Sequence, residues 1–123
     1  RGDIIPELRP AQGEYYLLKK HFSAFMQTEF DFLLRRLEIE DLVICGTQYP
    51  NSVRATAYDA ISYGYETTVI TNATLAKTTA IAAANIHDME NVGIHCMSLG
   101  QFLRQMKLIR RRSIGNIQHG INQ

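Results

Sequence analysis

The chain has no tryptophan, only three prolines and only two cysteines in 123 residues. Cys45 lies in one apolar stretch and Cys96 at the end of another, a number and spacing that give neither a disulfide framework nor a zinc site. Both read as buried free thiols that behave as small hydrophobes. Long apolar runs are missing too: none approaches the roughly 18 residues of a membrane span, and the start lacks the basic-then-apolar pattern of a signal peptide. The chain therefore reads as cytoplasmic, with no membrane partner. Nor does one sign of charge dominate, since 13 Lys and Arg face 12 Asp and Glu for a formal net charge of +1. Nothing in that balance calls for nucleic acid.

What is present is ordinary for a globular protein: 46% hydrophobic and 20% charged residues, with no internal repeats. The length suits one domain and is near the lower edge for a sheet covered on both faces. Pro6 and Pro10 argue against regular structure in residues 1 to 12. Glu14 to Lys20 reads as a short strand, aromatic and aliphatic before two lysines. Thr28 has the place of a helix N-cap, with Phe30, Leu33, Leu34 and Leu37 following at helical spacing. Leu42 to Cys45 is apolar without alternation, the pattern of a parallel strand covered on both faces.

A helix is expected from Ser52 to Tyr63, capped by Asn51 and stopped by Gly64 in a left-handed conformation. Thr67 to Thr71 reads as a strand, Thr79 to Glu90 as an alanine-rich helix, and Gly93 to Met97 as the last strand. Ser98 and Gln101 form a capping-box pattern before a helix that gathers Leu99, Phe102, Leu103 and Met106 on one face. Alternating strands and helices imply an α/β fold, a mostly parallel sheet in three α-β-α layers with right-handed crossovers. Residues 1 to 108 form the domain and 109 to 123 a basic, polar tail. Arg110, Arg111 and Arg112 there read as a solvated helix end that compensates the dipole.

The run Cys45-Gly46-Thr47-Gln48-Tyr49-Pro50-Asn51-Ser52-Val53-Arg54-Ala55-Thr56-Ala57-Tyr58-Asp59-Ala60 stands where the apolar strand breaks into a helix. It resembles the nucleophile loop of the isochorismatase-like cysteine hydrolases, the superfamily that includes nicotinamidases, and is most similar to plant nicotinamidase-like members. The resemblance extends from about Ile5 to about Leu103. Tyr16 to Phe25 resembles the family's lysine strand, with Lys19 four residues before Ser23-Ala24-Phe25. Tyr63 to Thr74 resembles the next strand, although the family usually has Asp where this chain has Asn72. Ala84 to Gly93 resembles the helix and turn that follow.

The resemblance implies a Rossmann-like hydrolase fold, apparently incomplete, and hydrolysis of a small amide C–N bond through a covalent intermediate. It places the catalytic lysine at Lys19 and the nucleophile at position 52, where the family's cysteine is replaced by Ser52. It places an oxyanion hole at Thr47, Gln48 and Ser52, with a cis peptide between Thr47 and Gln48, and it sets Tyr49 and Phe25 at the substrate pocket. The family's catalytic aspartate and its Asp-x-His metal segment would precede Arg1. The first residue is Arg rather than Met, as in a fragment or a processed product. No cofactor and no metal ligand are therefore expected within this chain, although family members bind a divalent metal such as zinc through that segment.

Chemistry makes the serine consequential. A helix N-terminus and a nearby cation bring a thiol from a pKa of roughly 8.5 into the working range. A hydroxyl needs instead a base within hydrogen-bond reach. His21 and Asp59 are the candidates, His21 for its closeness to Lys19 and Asp59 at two helical turns from Ser52; His87, His95 and His119 have no ligand-like spacing. One expectation is thus an amide-hydrolase scaffold whose chemistry is impaired. A second is a binding or regulatory protein that takes a small amide or carbonyl ligand, or pairs with itself or an intact homologue. A third keeps Ser52 as a nucleophile served by a base from a partner chain.

Overall fold

A computed structural model describes residues 6, 11–46, 49–73 and 79–109, with the backbone alone at 49, 50 and 73. The expected cis peptide at Thr47–Gln48, the side chain of Tyr49 and the tail from residue 110 lie outside the described residues.

Three strands, β1 (Asp41–Ile44), β2 (Glu66–Ile70) and β3 (His95–Met97), form a sheet of order β1-β2-β3. Both pairings are parallel, with Leu42 opposite Thr67, Ile44 opposite Val69, and Val69 opposite Cys96. Helix α1 (Phe30–Arg36) precedes β1, α2 (Arg54–Ser62) links β1 to β2, α3 (Thr79–Asn91) precedes β3, and α4 covers residues 99–109. The α/β class and the parallel sheet are as the sequence leads one to expect.

Residues two apart on a strand share a face, and one face of this sheet is well covered. Ile44, Val69 and Cys96 pack with Val53 and Ala57 before and on α2 and with Met89 on α3. A second cluster joins Leu42 to Phe25, Leu34, Ala60 and Tyr65. Ala57 and Ala60 are both fully buried, and their small side chains let α2 lie close to the strands. Each large side chain so buried contributes about 1.5–3 kcal/mol.

The opposite face differs from expectation. Val43 is 46% exposed and Cys45 is exposed, so among the described residues β1 is covered on one face only and its outer edge is unpaired. Cys45 is correspondingly not the buried thiol that its apolar neighbours suggest. The expected strand at Glu14 to Lys20 does not form either. Its backbone has no ladder partner among the described residues, and Tyr15, Tyr16 and Leu18 are left exposed.

Three helices end in the same way, by two backbone bonds that close a Schellman motif. After α2, Tyr65 N–H reaches Ala60 C=O and Gly64 N–H reaches Ile61 C=O, each at 3.0 Å, with Gly64 at φ +89°. Ile94 to Met89 and Gly93 to Glu90 repeat this after α3, and Ile39 to Leu34 and Glu38 to Arg35 after α1. At the last of these the left-handed residue is Glu38, with φ +57°.

The capping box of α4 forms as expected. Gln101 N–H donates to Ser98 Oγ at 3.2 Å, and Ser98 N–H donates to Gln101 Oε1 at 2.9 Å. Asn72 adds a third bond by accepting Leu99 N–H on Oδ1 at 2.8 Å. Leu99, Leu103 and Met106 remain about half exposed, because no described residue covers that stripe.

Candidate active site

The site is built where β1 ends. Gly46 lets the chain turn there, since a Cβ at that position would lie 2.8 Å from Val53 Cγ2. The chain then winds through a π-helical turn, Tyr49–Val53, into α2. The helix expected to begin at Ser52 under an Asn51 cap instead enters the α form at Arg54, with no side-chain cap bond at Val53. Ser52 sits on the wider π turn, at the carboxyl end of the sheet, where ligands of open parallel sheets bind.

Lys19 reaches the site on a loop without regular structure. Its Nζ donates to His21 C=O at 2.8 Å, to Phe22 C=O at 2.9 Å, and to Ser52 Oγ at 3.5 Å. A lysine ammonium has three donors and no acceptor, so these three oxygens use the whole group. The loop is tied down just after the lysine. Ala24 N–H donates to Thr56 Oγ1 of α2 at 3.0 Å, and Thr28 Oγ1 donates to Ala24 C=O. Thr28 also accepts Phe30 N–H at 3.3 Å, which makes it the practical start of α1 although Glu29 holds the cap position.

Phe25, expected at the substrate pocket, is a core residue. It is 6% exposed, with its ring centroid 4.8 Å from Phe30, 5.2 Å from Tyr63 and 6.0 Å from Tyr65. Four aromatic side chains within reach of one another exclude water best when packed together, so Phe25 anchors the Lys19 loop. Tyr65 completes the anchor by donating its hydroxyl to Asp31 Oδ1 at 2.6 Å under the Arg35 guanidinium. Burial, then the Asp31 hydrogen bond, raises that hydroxyl above its usual pKa.

Lys19 lines more than one cleft. One, of about 530 Å3, runs along β1 from Leu42 to Gly46 and includes Ser52, Thr56 and Lys19. Another, of about 720 Å3, is bounded by Lys20, Tyr58 and Asp59 and again by Lys19. Neither candidate base is hydrogen-bonded to Ser52: His21 Nε2 lies 3.1 Å from Gln27 Oε1, and Asp59 lines the second cleft. His95 faces Glu66 at 3.5 Å. Among the described residues no three His, Cys, Asp or Glu side chains gather to hold a metal ion, and no helix is long and apolar enough to cross a membrane.

The fold thus brings together Lys19 and Ser52 of the expected site. It adds Thr56, which sequence reasoning missed although a threonine four residues after Ser52 falls on the same helical face, and Asn72, missed as the cap of α4.

The protein is thus a parallel α/β sheet with a lysine and a serine meeting at its carboxyl end, and comparison with known proteins gives its family. The isochorismatase domain matches residues 1–101, and the chain belongs to that family. It is 38% identical to a probable inactive nicotinamidase of Arabidopsis thaliana, over 77% of this chain and 49% of that protein. It is 29% identical to the maleamate amidohydrolase of Pseudomonas putida, over 67% of this chain and 38% of that enzyme. An isochorismatase family protein from Desulfovibrio vulgaris superposes with a TM-score of 0.79 at 45% identity, over 85% of this chain and 55% of that one. The chain therefore spans about half the length of such relatives, or less.

Proposed function

We propose that this chain carries the amide-hydrolase pocket of its family in a form that holds a small amide or other carbonyl compound at Lys19 and Ser52 without cleaving it. The observation that carries this reading is the commitment of Lys19 Nζ to three oxygen acceptors, Ser52 Oγ among them. A lysine that donates to the hydroxyl offers it no lone pair, so Lys19 is not the base that attack requires. With its oxygen already accepting from Lys19, the hydroxyl keeps its own hydrogen for a ligand's carbonyl. Relatives named as a probable inactive nicotinamidase and a maleamate amidohydrolase support a small amide as the ligand class.

Titration with nicotinamide, followed by NMR, tests the binding. Shifts at the amides of Ser52 and Val53 that saturate, and that vanish in Lys19→Met, are expected. Absence of saturable shifts at up to millimolar ligand would overturn the reading.

A second reading, pairing with another copy or with a homologue, is favoured by the edge of β1, unpaired among the described residues, and the exposed Val43 beside it. An unpaired strand edge is a template for another chain. Sedimentation showing a monomer at all concentrations would remove pairing between copies.

A further inference from the structure

Thr56 is buried in α2 and lies four residues after Ser52. Its hydroxyl accepts the Ala24 N–H at 3.0 Å. Lys19 hangs from the carbonyls of His21 and Phe22, which immediately precede the Ser23-Ala24 pair. The loop and the helix are therefore joined by two rungs, Lys19 to Ser52 and Ala24 to Thr56. The second rung is the firmer: Thr28 Oγ1 donates to Ala24 C=O, so both backbone groups of Ala24 are held by threonine hydroxyls. The first rung, at 3.5 Å, is long.

We propose that Thr56 is the positioning residue of this site: by accepting the Ala24 N–H it sets the distance between the Lys19 ammonium and the side chain at position 52. The proposal rests on the Lys19–Ser52 pair as the heart of the pocket, but not on any ligand.

A thiol at position 52 reports that distance directly. A cation within about 4–6 Å lowers an acid's pKa by about 1–3 units, and alkylation follows the thiolate. In Ser52→Cys, the rate of iodoacetamide alkylation at position 52 is measured from pH 5 to 10 by tandem mass spectrometry, whose backbone fragments separate it from Cys45 in the same tryptic peptide, and from Cys96. Adding Thr56→Val, which keeps the shape and removes the acceptor, is expected to slow the reaction at pH 7 about tenfold, the equivalent of one pKa unit. Thr56→Ser, which keeps the hydroxyl, restores it. Lys19→Met gives a similar loss by itself, and Thr56→Val adds nothing in that background, because both act through one interaction.

An unchanged pH profile in Thr56→Val, an additive loss on top of Lys19→Met, or failure of Thr56→Ser to restore the rate would each overturn the proposal. Circular dichroism checks the fold. Should Thr56→Val not retain it, Thr56→Ala, which leaves room for water at the Ala24 N–H, is read in the same way. Because no substrate is present, a chain that binds no amide leaves this result standing, and a negative result here leaves the nicotinamide titration decidable.

Discussion

Lys19 Nζ lies 3.5 Å from the Ser52 hydroxyl, although the two residues are 33 positions apart. The contact joins an irregular loop to the turn that follows β1, and it is held by groups that take no part in it. Thr56 and Thr28 fix Ala24, and the Phe25 ring sits among Phe30, Tyr63 and Tyr65. Fold and site are thus coupled through a few residues, and their consequences can be measured separately.

Glu38 closes α1 in a left-handed conformation that a side chain disfavours. Glu38→Gly removes that strain at some cost in unfolded-state entropy, and it is expected to stabilise the chain by about 0.5–1 kcal/mol in urea unfolding. A loss of stability would mean that the Glu38 side chain contributes more than its backbone costs.

Asn72 accepts Leu99 N–H at the start of α4. Asn72→Ala is expected to cost about 1 kcal/mol, as loss of a helix cap does. Asn72→Asp keeps the acceptor and adds a negative charge near the helix N-terminus, which favours it by about 0.3–1 kcal/mol at low salt. Equal stability of the two variants would show that the bond does not hold the helix.

How much of this was legible in the sequence depends on what each residue answers to. Gly64 ends α2 where it was expected to, because a left-handed turn is a local demand that glycine meets. Leu42 to Ile44 reads as a strand because its apolar run answers to burial on α2. The Glu14 to Lys20 segment misleads because a strand needs a partner, and an aromatic and aliphatic run says nothing about its neighbours. The aromatic packing of Phe25 is illegible for a related reason: its partners lie up to 40 positions away, at Tyr63 and Tyr65. The meeting of Lys19 with Ser52 follows from no spacing in the sequence and was suggested only by family resemblance.

Burial, and then the charge of Glu90, push the Cys96 thiol up from 9.0 to about 11. At pH 8 only about one thiol in a thousand is then ionised, so iodoacetamide is expected to spare Cys96 while it modifies the exposed Cys45. A group whose folded pKa is raised stabilises the fold below its unfolded pKa. That contribution is lost as the pH rises from about 9 through about 11. Urea midpoints that fall over this window in the native chain, and fall less in Cys96→Ala, would bear this out; rapid alkylation of Cys96 at pH 8 would contradict it.

The most direct measurement of whether Ser52 can act without a base is ammonia release from nicotinamide by the chain as it stands, with Ser52→Ala beside it. No release above buffer in either is the result expected of a lysine that only donates to the hydroxyl. Release that scales with protein concentration and disappears in Ser52→Ala would contradict it and make Ser52 a working nucleophile.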